Sequence, residues 1–354
     1  MTYDLHAVAS YGRGGSSARV RLHDWIRHLG LRSVLSDYAG TADNTPRTLC
    51  SHPVRTLKAE VRTRRLSPLA ARMIVSREAT PFGRGVAEAR ALRRADHGVF
   101  DFDDAIYLPP SLARRASGGT HKAQRLSRAA DVVIAGSEVL ADWATAHARD
   151  VRMIPSCIEP ADYELKSSWS GGDRPSIVWL GSFATEQYVE HVARPLLEVH
   201  RLTGATLTLI SSSKENPRLS ALEPILRRVP WHPHTFAQHL SAADVAIAPL
   251  ADTPYARGKC AYKLLQYAAT GLPIVGSPVG ANKAALADFA GIAAADASEW
   301  VDALVQLLAE PAHLRQARGM AAASGVARKY SFESWREAWC AALALPVTPV
   351  GRPA

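Results

Sequence analysis

The chain has little cysteine, and what it has is scattered. Cys50, Cys157, Cys260 and Cys340 are its four cysteines in 354 residues. Their spacing supplies no zinc-ligand pair, and four are too few and too dispersed for a disulfide framework, so a reducing cytoplasm is the expected home. No apolar stretch approaches the roughly 18 residues of a membrane span, and no export segment is recognisable. Aromatic residues make up 7% of the chain; they do not interleave with its basic residues, and no nucleic-acid-binding module is present, so a nucleic-acid partner is not expected. A P-loop is excluded too, because no glycine-rich loop is followed by Lys-Ser/Thr.

With 47% hydrophobic and 21% charged residues, the composition is that of a globular protein. The length exceeds one ordinary core and predicts two domains of roughly 150 residues each. Strand-like and helix-like segments alternate in both halves. Leu5–Ser10 leads into the loop Tyr11–Ser17, a helix to about Leu29 capped by Gly30, and the strand Leu31–Ser36. Further strands are expected at MIVS, HGVFDF, DVVIAGS and VRMIPS. Pro155–Pro175 is rich in Pro, Ser and Gly and lacks periodicity, which reads as a hinge. A second alternation follows, with SIVWLG, a helix near Tyr188–Leu202, ATLTLISS and ADVAIAPL.

Residues 257–280, RGKCAYKLLQYAATGLPIVGSPVG, carry the strongest functional signal. Lys259, Lys263 and Gln266 are spaced i, i+4, i+7, which predicts one cationic helical face opposite the apolar Ala261, Leu264, Leu265 and Ala268. Gly258 is expected to open this helix and Gly271 to close it, leaving the lysines near an N-terminus that already favours an anion such as a diphosphate. The plain alternative is a solvated charged face on a packing helix. A strand lies on either side, so loop 251–258 and the turn Ser277–Gly280, with Val279 and Gly280, should face one crevice beyond the strands' carboxyl ends.

This segment resembles the retaining GT-B glycosyltransferases of family 4, the glycosyl transferases group 1, whose donor helix reads roughly K-L-x-E-Y-x-A-x-G-x-P-V-V. Lys263-Leu264-Leu265-Gln266-Tyr267-Ala268-Ala269-Thr270-Gly271-Leu272-Pro273-Ile274-Val275 follows that pattern. The family usually carries two glutamates eight residues apart; Gly258 and Gln266 stand at those positions here, and Gln266 keeps hydrogen-bonding capacity for a ribose without the charge.

The resemblance implies an α/β GT-B fold, two Rossmann-like domains facing across a cleft. The acceptor-side domain would span 1–165 and the nucleotide-sugar domain 166–330, with 331–354 a helix crossing back to the first domain plus a tail. It implies transfer of a sugar from a nucleotide-diphosphate donor to an acceptor hydroxyl, with retention, without a metal and without a cofactor. Gly181 would end the first strand of the nucleotide domain. Relatives often place a basic residue soon after it, but Ser182, Phe183, Ala184 and Thr185 follow here, so Arg257, Lys259 and Lys263 are the expected phosphate countercharge. Trp231 is placed either near the base or in packing.

Two constellations in the first half complete the site. Gly12-Arg13-Gly14-Gly15-Ser16-Ser17 is either a tight turn or a loop letting phosphate or sugar approach the backbone; the resemblance puts Gly14 and Gly15 near the transferred sugar. Asp101, Asp103 and Asp104 gather at the end of the strand VFDFDD, with Asp101 and Asp103 expected on one side. Clustered like charges need partners or a use. Asp103 or Asp104 is the candidate to position an acceptor or sugar hydroxyl, and pairing with Arg19 or Arg77 is the structural alternative. A D-x-D metal site is disfavoured, because the nucleotide contacts fall in the other half.

The net charge of +9 is uneven: residues 55–94 hold eleven Lys/Arg against three acids, net +8. That stretch is either an arginine-rich solvated surface or a place for peripheral contact with an anionic membrane or a lipid-linked acceptor. Glycan, lipid-linked and small-molecule acceptors all fit, and the location expected is the cytoplasm, with the inner membrane face as an option. Two other classes compete. A non-catalytic nucleotide-sugar-binding or scaffold protein is suggested by Gly258 and Gln266, and an NAD(P)-dependent oxidoreductase by Gly12–Gly15 with Asp37, where Ser17 replaces the third glycine of the fingerprint.

Overall fold

The alternating segments form two parallel six-stranded sheets in a computed structural model that describes residues 3–12, 14–38, 40, 46–108, 119–171 and 174–346. Two compact units result: 1–157 with 257–260 and 332–354, and 158–256 with 261–331. The division falls between Cys157 and Ile158, ahead of the boundary expected at 165.

In the first unit, β1 (Leu5–Ala9), β2 (Ser33–Ser36), β3 (Arg72–Ser76), β4 (His97–Phe102), β5 (Val132–Ala135) and β6 (Val151–Met153) run in the order β2-β1-β3-β4-β5-β6. Every residue of β1 and β5 is buried, as expected where helices cover both faces of a parallel sheet. The C-terminal helix Phe332–Ala342 packs in this unit. Trp339 stacks on Trp25 with ring centroids 4.9 Å apart and planes 8° from parallel, and Phe332 meets Trp25 edge-on at 4.9 Å.

The second unit holds β7 (Ser176–Leu180), β8 (Thr206–Ser211), β9 (Leu226–Pro230), β10 (Val245–Ala248), β11 (Ile274–Gly276) and β12 (Ile292–Ala293), ordered β12-β11-β10-β7-β8-β9. Counted from β7, this is the Rossmann strand order. Alternation along the strands serves two cores: Ile177 and Trp179 of β7 with Val245 and Ile247 of β10 on one side, and Val178 and Leu180 with Ala246 and Ala248 on the other. The order reverses between β7 and β10 here, and between β1 and β3 in the first sheet. These are the switch points where connections diverge and leave a crevice beyond the strand ends.

Two local expectations change. The helix expected over Tyr188–Leu202 is two pieces, Gln187–Glu190 and Ala193–Thr203, with Gly204 closing the second at φ 71. Asp101 lies inside β4, whereas Asp103 already follows the strand in a bend together with Asp104, so Asp101 and Asp103 do not share one strand face. The segment 155–175 contains the division after Cys157, and its described residues from Ile158 on belong to the second unit. Lys166 Nζ donates to the carbonyls of Ser241 and Ala243 at 3.0 and 2.8 Å, and Trp169 Nε1 to that of Gly271 at 3.0 Å, strapping it onto the second unit.

Candidate functional site

At the switch point of the first sheet, the chain leaves β1 through Ser10–Gly15. The Gly15 N–H donates to the Gly12 carbonyl at 2.9 Å. A Cβ on Gly15 would stand 2.5 Å from the Tyr11 Cβ, so only glycine fits this turn. Gly14 is exposed beside it, and Arg13 lies outside the described residues. Gly15 then caps the helix opening at Ser16. A π-helical stretch, Arg19–His23, follows and carries Arg21 into the interior.

Arg21 is 1% exposed and answers Asp101, which is fully buried. Its Nε and Nη2 donate to Asp101 Oδ1 at 3.0 and 2.5 Å, Nη1 donates to the Ile154 carbonyl at 3.0 Å, and Ser76 Oγ donates to Asp101 Oδ2 at 3.0 Å. A buried carboxylate this fully satisfied is a structural pair, and Asp101 drops out as a reacting group.

Asp103 and Asp104 are different. Arg77 follows β3 in the left-handed region, φ 63, a backbone state unusual for a non-glycine residue. Its Nη1 donates to Asp104 Oδ2 at 2.8 Å and to Ser17 Oγ at 2.9 Å, and stands 3.5 Å from Asp103 Oδ1. Lys259 Nζ donates to Asp104 Oδ1 at 3.2 Å. One cation therefore ties the first strand's helix to the end of β4, and a second completes the countercharge. Burial raises the Asp103 carboxyl above its ordinary pKa, and the Asp104 charge adds to that against Arg77. Burial pushes Asp104 the same way, but Arg77 and Lys259 outweigh it and hold its carboxyl below the usual range. The two neighbouring carboxylates are thereby driven apart in acidity, as in acid–base pairs.

Lys259 does not belong to the helix that carries Lys263. That helix runs Tyr262–Ala269 from a left-handed Ala261, φ 53, and residues 257–260 pack with the first unit. The i, i+4, i+7 face of Lys259, Lys263 and Gln266 is thus incomplete, with only the last two on one helix. Tertiary packing overrides the spacing. A Cβ on Gly258 would lie 2.8 Å from Ala105 Cβ and 3.2 Å from its backbone nitrogen, and Cys260 is buried with Sγ donating to the Asp103 carbonyl at 3.0 Å. Gly258 opens no helix; the short helix Pro254–Arg257 ends just before it, and Arg257 is exposed there. Gly271 does close the later helix, at φ 69.

In the second unit the candidate residues gather at the carboxyl ends of β7 and β11 and on the Tyr262–Ala269 helix. Gly181 follows β7; a Cβ there would lie 2.3 Å from the Trp179 ring and 2.8 Å from Thr185 Oγ1. Lys263, in the first helical turn, holds its Nζ 5.4 Å from the centroid of that same indole. No side chain caps this helix at Ala261. Its Tyr267 hydroxyl accepts from the Leu180 N–H at 2.8 Å, pinning the helix to the end of β7. Gln266 is 6% exposed and donates through Nε2 to Tyr163 Oη at 3.3 Å. The Tyr163 ring meets Phe236 edge-on at 5.9 Å, and Phe236 lies 5.9 Å from Trp231 in a stacked pair. Trp231 is 38% exposed. Beyond β11, Gly280 at φ 54, ψ −134 opens the helix Ala281–Asp288 without a side-chain cap, next to the buried Val279.

Sequence reasoning missed Ser17, Tyr163 and the pairing of Lys259 with Asp104. Ser17 was legible only as the residue that breaks a dinucleotide fingerprint, and nothing in spacing joins Tyr163 to Gln266, 103 residues away.

Residues 174–310 match the family model described as Glycosyl transferases group 1. No match was found among curated proteins. Among solved structures, the chain is similar to Anabaena Alr3699/HepE in complex with UDP-glucose, with a TM-score of 0.71 at 14% identity over 96% of this chain and 99% of that one. It is also similar to the UDP-forming α,α-trehalose-phosphate synthase from Burkholderia vietnamiensis, at 0.67 and 15% over 97% of each. TarM, known from S. aureus, gives 0.59 at 11% identity over 77% of this chain and 54% of that one, so the chain spans about half the length of TarM. At these identities the likeness is one of fold, and the fold is GT-B.

Proposed function

We propose that the chain is a glycosyltransferase that moves a sugar from a nucleotide-diphosphate donor, with UDP the first base to test, to an acceptor hydroxyl. What supports this reading is the coincidence, within residues 174–310, of the family match with a sheet of Rossmann strand order, in which Gly181 follows β7, Gly280 follows β11 and Lys263 and Gln266 share the helix Tyr262–Ala269. The UDP suggestion comes from the HepE complex with UDP-glucose.

Lys263 and the uncapped start of the Tyr262–Ala269 helix would stabilise the negative charge that grows on the leaving diphosphate. The backbone at Val279 and Gly280 would meet phosphate oxygens, with Gly181 leaving room beside them. Gln266, oriented by Tyr163, would hydrogen-bond ribose hydroxyls, and the Trp231–Phe236 pair offers a stacking surface for the base. In the first unit, Asp103 and Asp104, set by Arg77 and Lys259, would hold an acceptor or sugar hydroxyl, with the backbone at Gly14 and Gly15 alongside. Arg257 would supply a further exposed cation. Retention without a metal is the proposed course: departure of the diphosphate leaves an oxocarbenium-like sugar, and the acceptor proton passes late to the leaving phosphate oxygen.

Calorimetric titration with UDP, GDP, ADP, TDP and NAD, in EDTA and then with Mg²⁺, tests this. Selective binding of one nucleoside diphosphate in EDTA is expected. Preference for NAD would favour an oxidoreductase, for which the Ser17 hydroxyl, already accepting from Arg77, sits at the third glycine position. Tight nucleotide binding without turnover of any nucleotide sugar would favour a scaffold protein.

A further inference from the structure

We propose that the outward face of the helix Pro53–Arg64 docks on a bilayer surface carrying anionic phospholipid. This stands on observations separate from the glycosyltransferase reading and holds or falls without it.

The helix is amphipathic with the wrong face outward for a core element. Ala59 and Thr63 are buried against the unit at 3% and 6% exposure, whereas Val54, Leu57 and Val61 are 66%, 66% and 43% exposed. Those three apolar residues are spaced i, i+3, i+7 and form one stripe within about 60° of the helix circumference. An isolated exposed leucine is ordinary, but a helical stripe of three is not.

The charges around the stripe have one sign. Lys58, Arg62 and Arg55 border it on one side, Arg64 on the other, and Arg65 follows at its end, all exposed. Glu60, the helix's one acid, is half-buried and turned inward, where Tyr38 Oη and Thr80 Oγ1 donate to it at 3.3 and 2.9 Å. The Tyr38 ring in turn lies 6.4 Å from that of Phe82, which is 44% exposed. Beside the stripe opens a cavity of about 550 Å³ lined by His52, Val54, Arg55, Lys58 and Arg62, with Asp37 its one acid among the described residues.

Charge complementarity selects the occupant. An apolar stripe alone would suit another protein. A stripe flanked by cations, with the lone acid withdrawn, matches an interface where acyl chains lie beneath a layer of phosphates, and the basic-lined cavity is sized for a headgroup. Among the described residues no helix is long and apolar enough to cross a membrane, so contact through this face would be peripheral.

Vesicle flotation of the whole chain tests the proposal, using phosphatidylcholine alone and with about 30 mol% phosphatidylglycerol. Binding to the anionic vesicles is expected, together with a fall of at least about tenfold on adding 0.5 M NaCl or on Lys58→Gln/Arg65→Gln. Leu57→Ser/Val61→Ser should reduce binding by about tenfold even at low salt, since interfacial partition scales with apolar area, without lowering the thermal midpoint. Should that variant unfold, the charge variant and the salt titration still decide. Equal binding to both vesicle types, or binding that survives loss of the stripe, would overturn the proposal. So would full displacement by millimolar glycerol phosphate, which would make the cavity a soluble-anion site, or a lipid-independent dimer abolished by Leu57→Ser/Val61→Ser, which would make the stripe a contact between copies.

Discussion

The Arg77 guanidinium reaches Asp104 at 2.8 Å from a left-handed backbone. The loop beyond Arg77 is held in place by Lys122, whose Nζ donates to Glu78 Oε2 and to the Thr80 and Phe82 carbonyls. Arg77 is the strongest charge acting on both neighbouring carboxyls, lowering the pKa of Asp103 and of Asp104 against their burial.

Removing it has a signed consequence. Asp104 has a depressed pKa, so its pairing stabilises the fold above the ordinary aspartate pKa of about 3.9, and that contribution disappears as pH falls through the native value. In Arg77→Gln the native pKa of Asp104 rises, because only Lys259 still opposes burial. The acid limb of the kcat profile should therefore move to higher pH, with transfer at neutral pH reduced about 10²-fold and UDP affinity within twofold of the parent. A variant whose pH profile overlays the parent's would remove Asp104 from the mechanism.

The separation of the two lysines makes their variants distinguishable. Lys263→Ala should weaken UDP binding by about 1–2 kcal/mol, roughly tenfold or more, while leaving uridine binding unchanged, because only the diphosphate loses its countercharge. Lys259→Ala should spare UDP and slow transfer, since its ammonium answers Asp104. Calorimetry with UDP and uridine on both variants decides it; equal losses for both ligands would refute the phosphate role of Lys263.

How far the sequence could be read follows from the same residues. Strands buried on both faces, such as VAIA of β10 and VVIA of β5, announce themselves as apolar runs between turn residues. The edge strands β9 and β12 are partly exposed, and β12 has two residues, so neither carries such a signal. The helix Tyr262–Ala269 is legible in the sequence from Lys263 to Gly271, where local pattern and structure agree. The helix does not reach back from Ala261 to Gly258, where contacts with Ala105, Gly136 and Asp103, more than 120 residues away in sequence, hold a non-helical path. The acidic cluster was visible as a composition, but its partition into a buried Arg21–Asp101 pair and an Arg77-set Asp103/Asp104 pair depends on side chains from four different elements.

Gly258 shows why this chain departs from the glutamate its resemblance leads one to expect. Any side chain there would enter space held by Ala105 Cβ at 2.8 Å and Leu140 Cδ2 at 3.1 Å. Gly258→Glu should therefore destabilise the protein by about 1–3 kcal/mol through overpacking and lower transfer rather than raise it. A thermal midpoint equal to the parent's, with faster turnover, would show that the pocket yields and that the carboxylate is tolerated.

Gly181 links packing to the donor site most directly. Its missing Cβ is what lets the Trp179 indole lie where it does, at 2.3 Å from the position that Cβ would take, and Lys263 rests over that indole. Ring carbons of a side chain that is 1% exposed cannot retreat without disturbing the core, so Gly181→Ala must displace either the ring or the turn after β7. Where the ring gives way, Lys263 loses its platform. We expect Gly181→Ala to cost about 1–3 kcal/mol of stability and to weaken UDP more than uridine, in the same direction as Lys263→Ala. In the double variant the two losses should be less than additive, because both act on one ammonium position. Full additivity in a double-mutant cycle would mean that Gly181 serves the phosphates through its own backbone and that Trp179 does not orient Lys263.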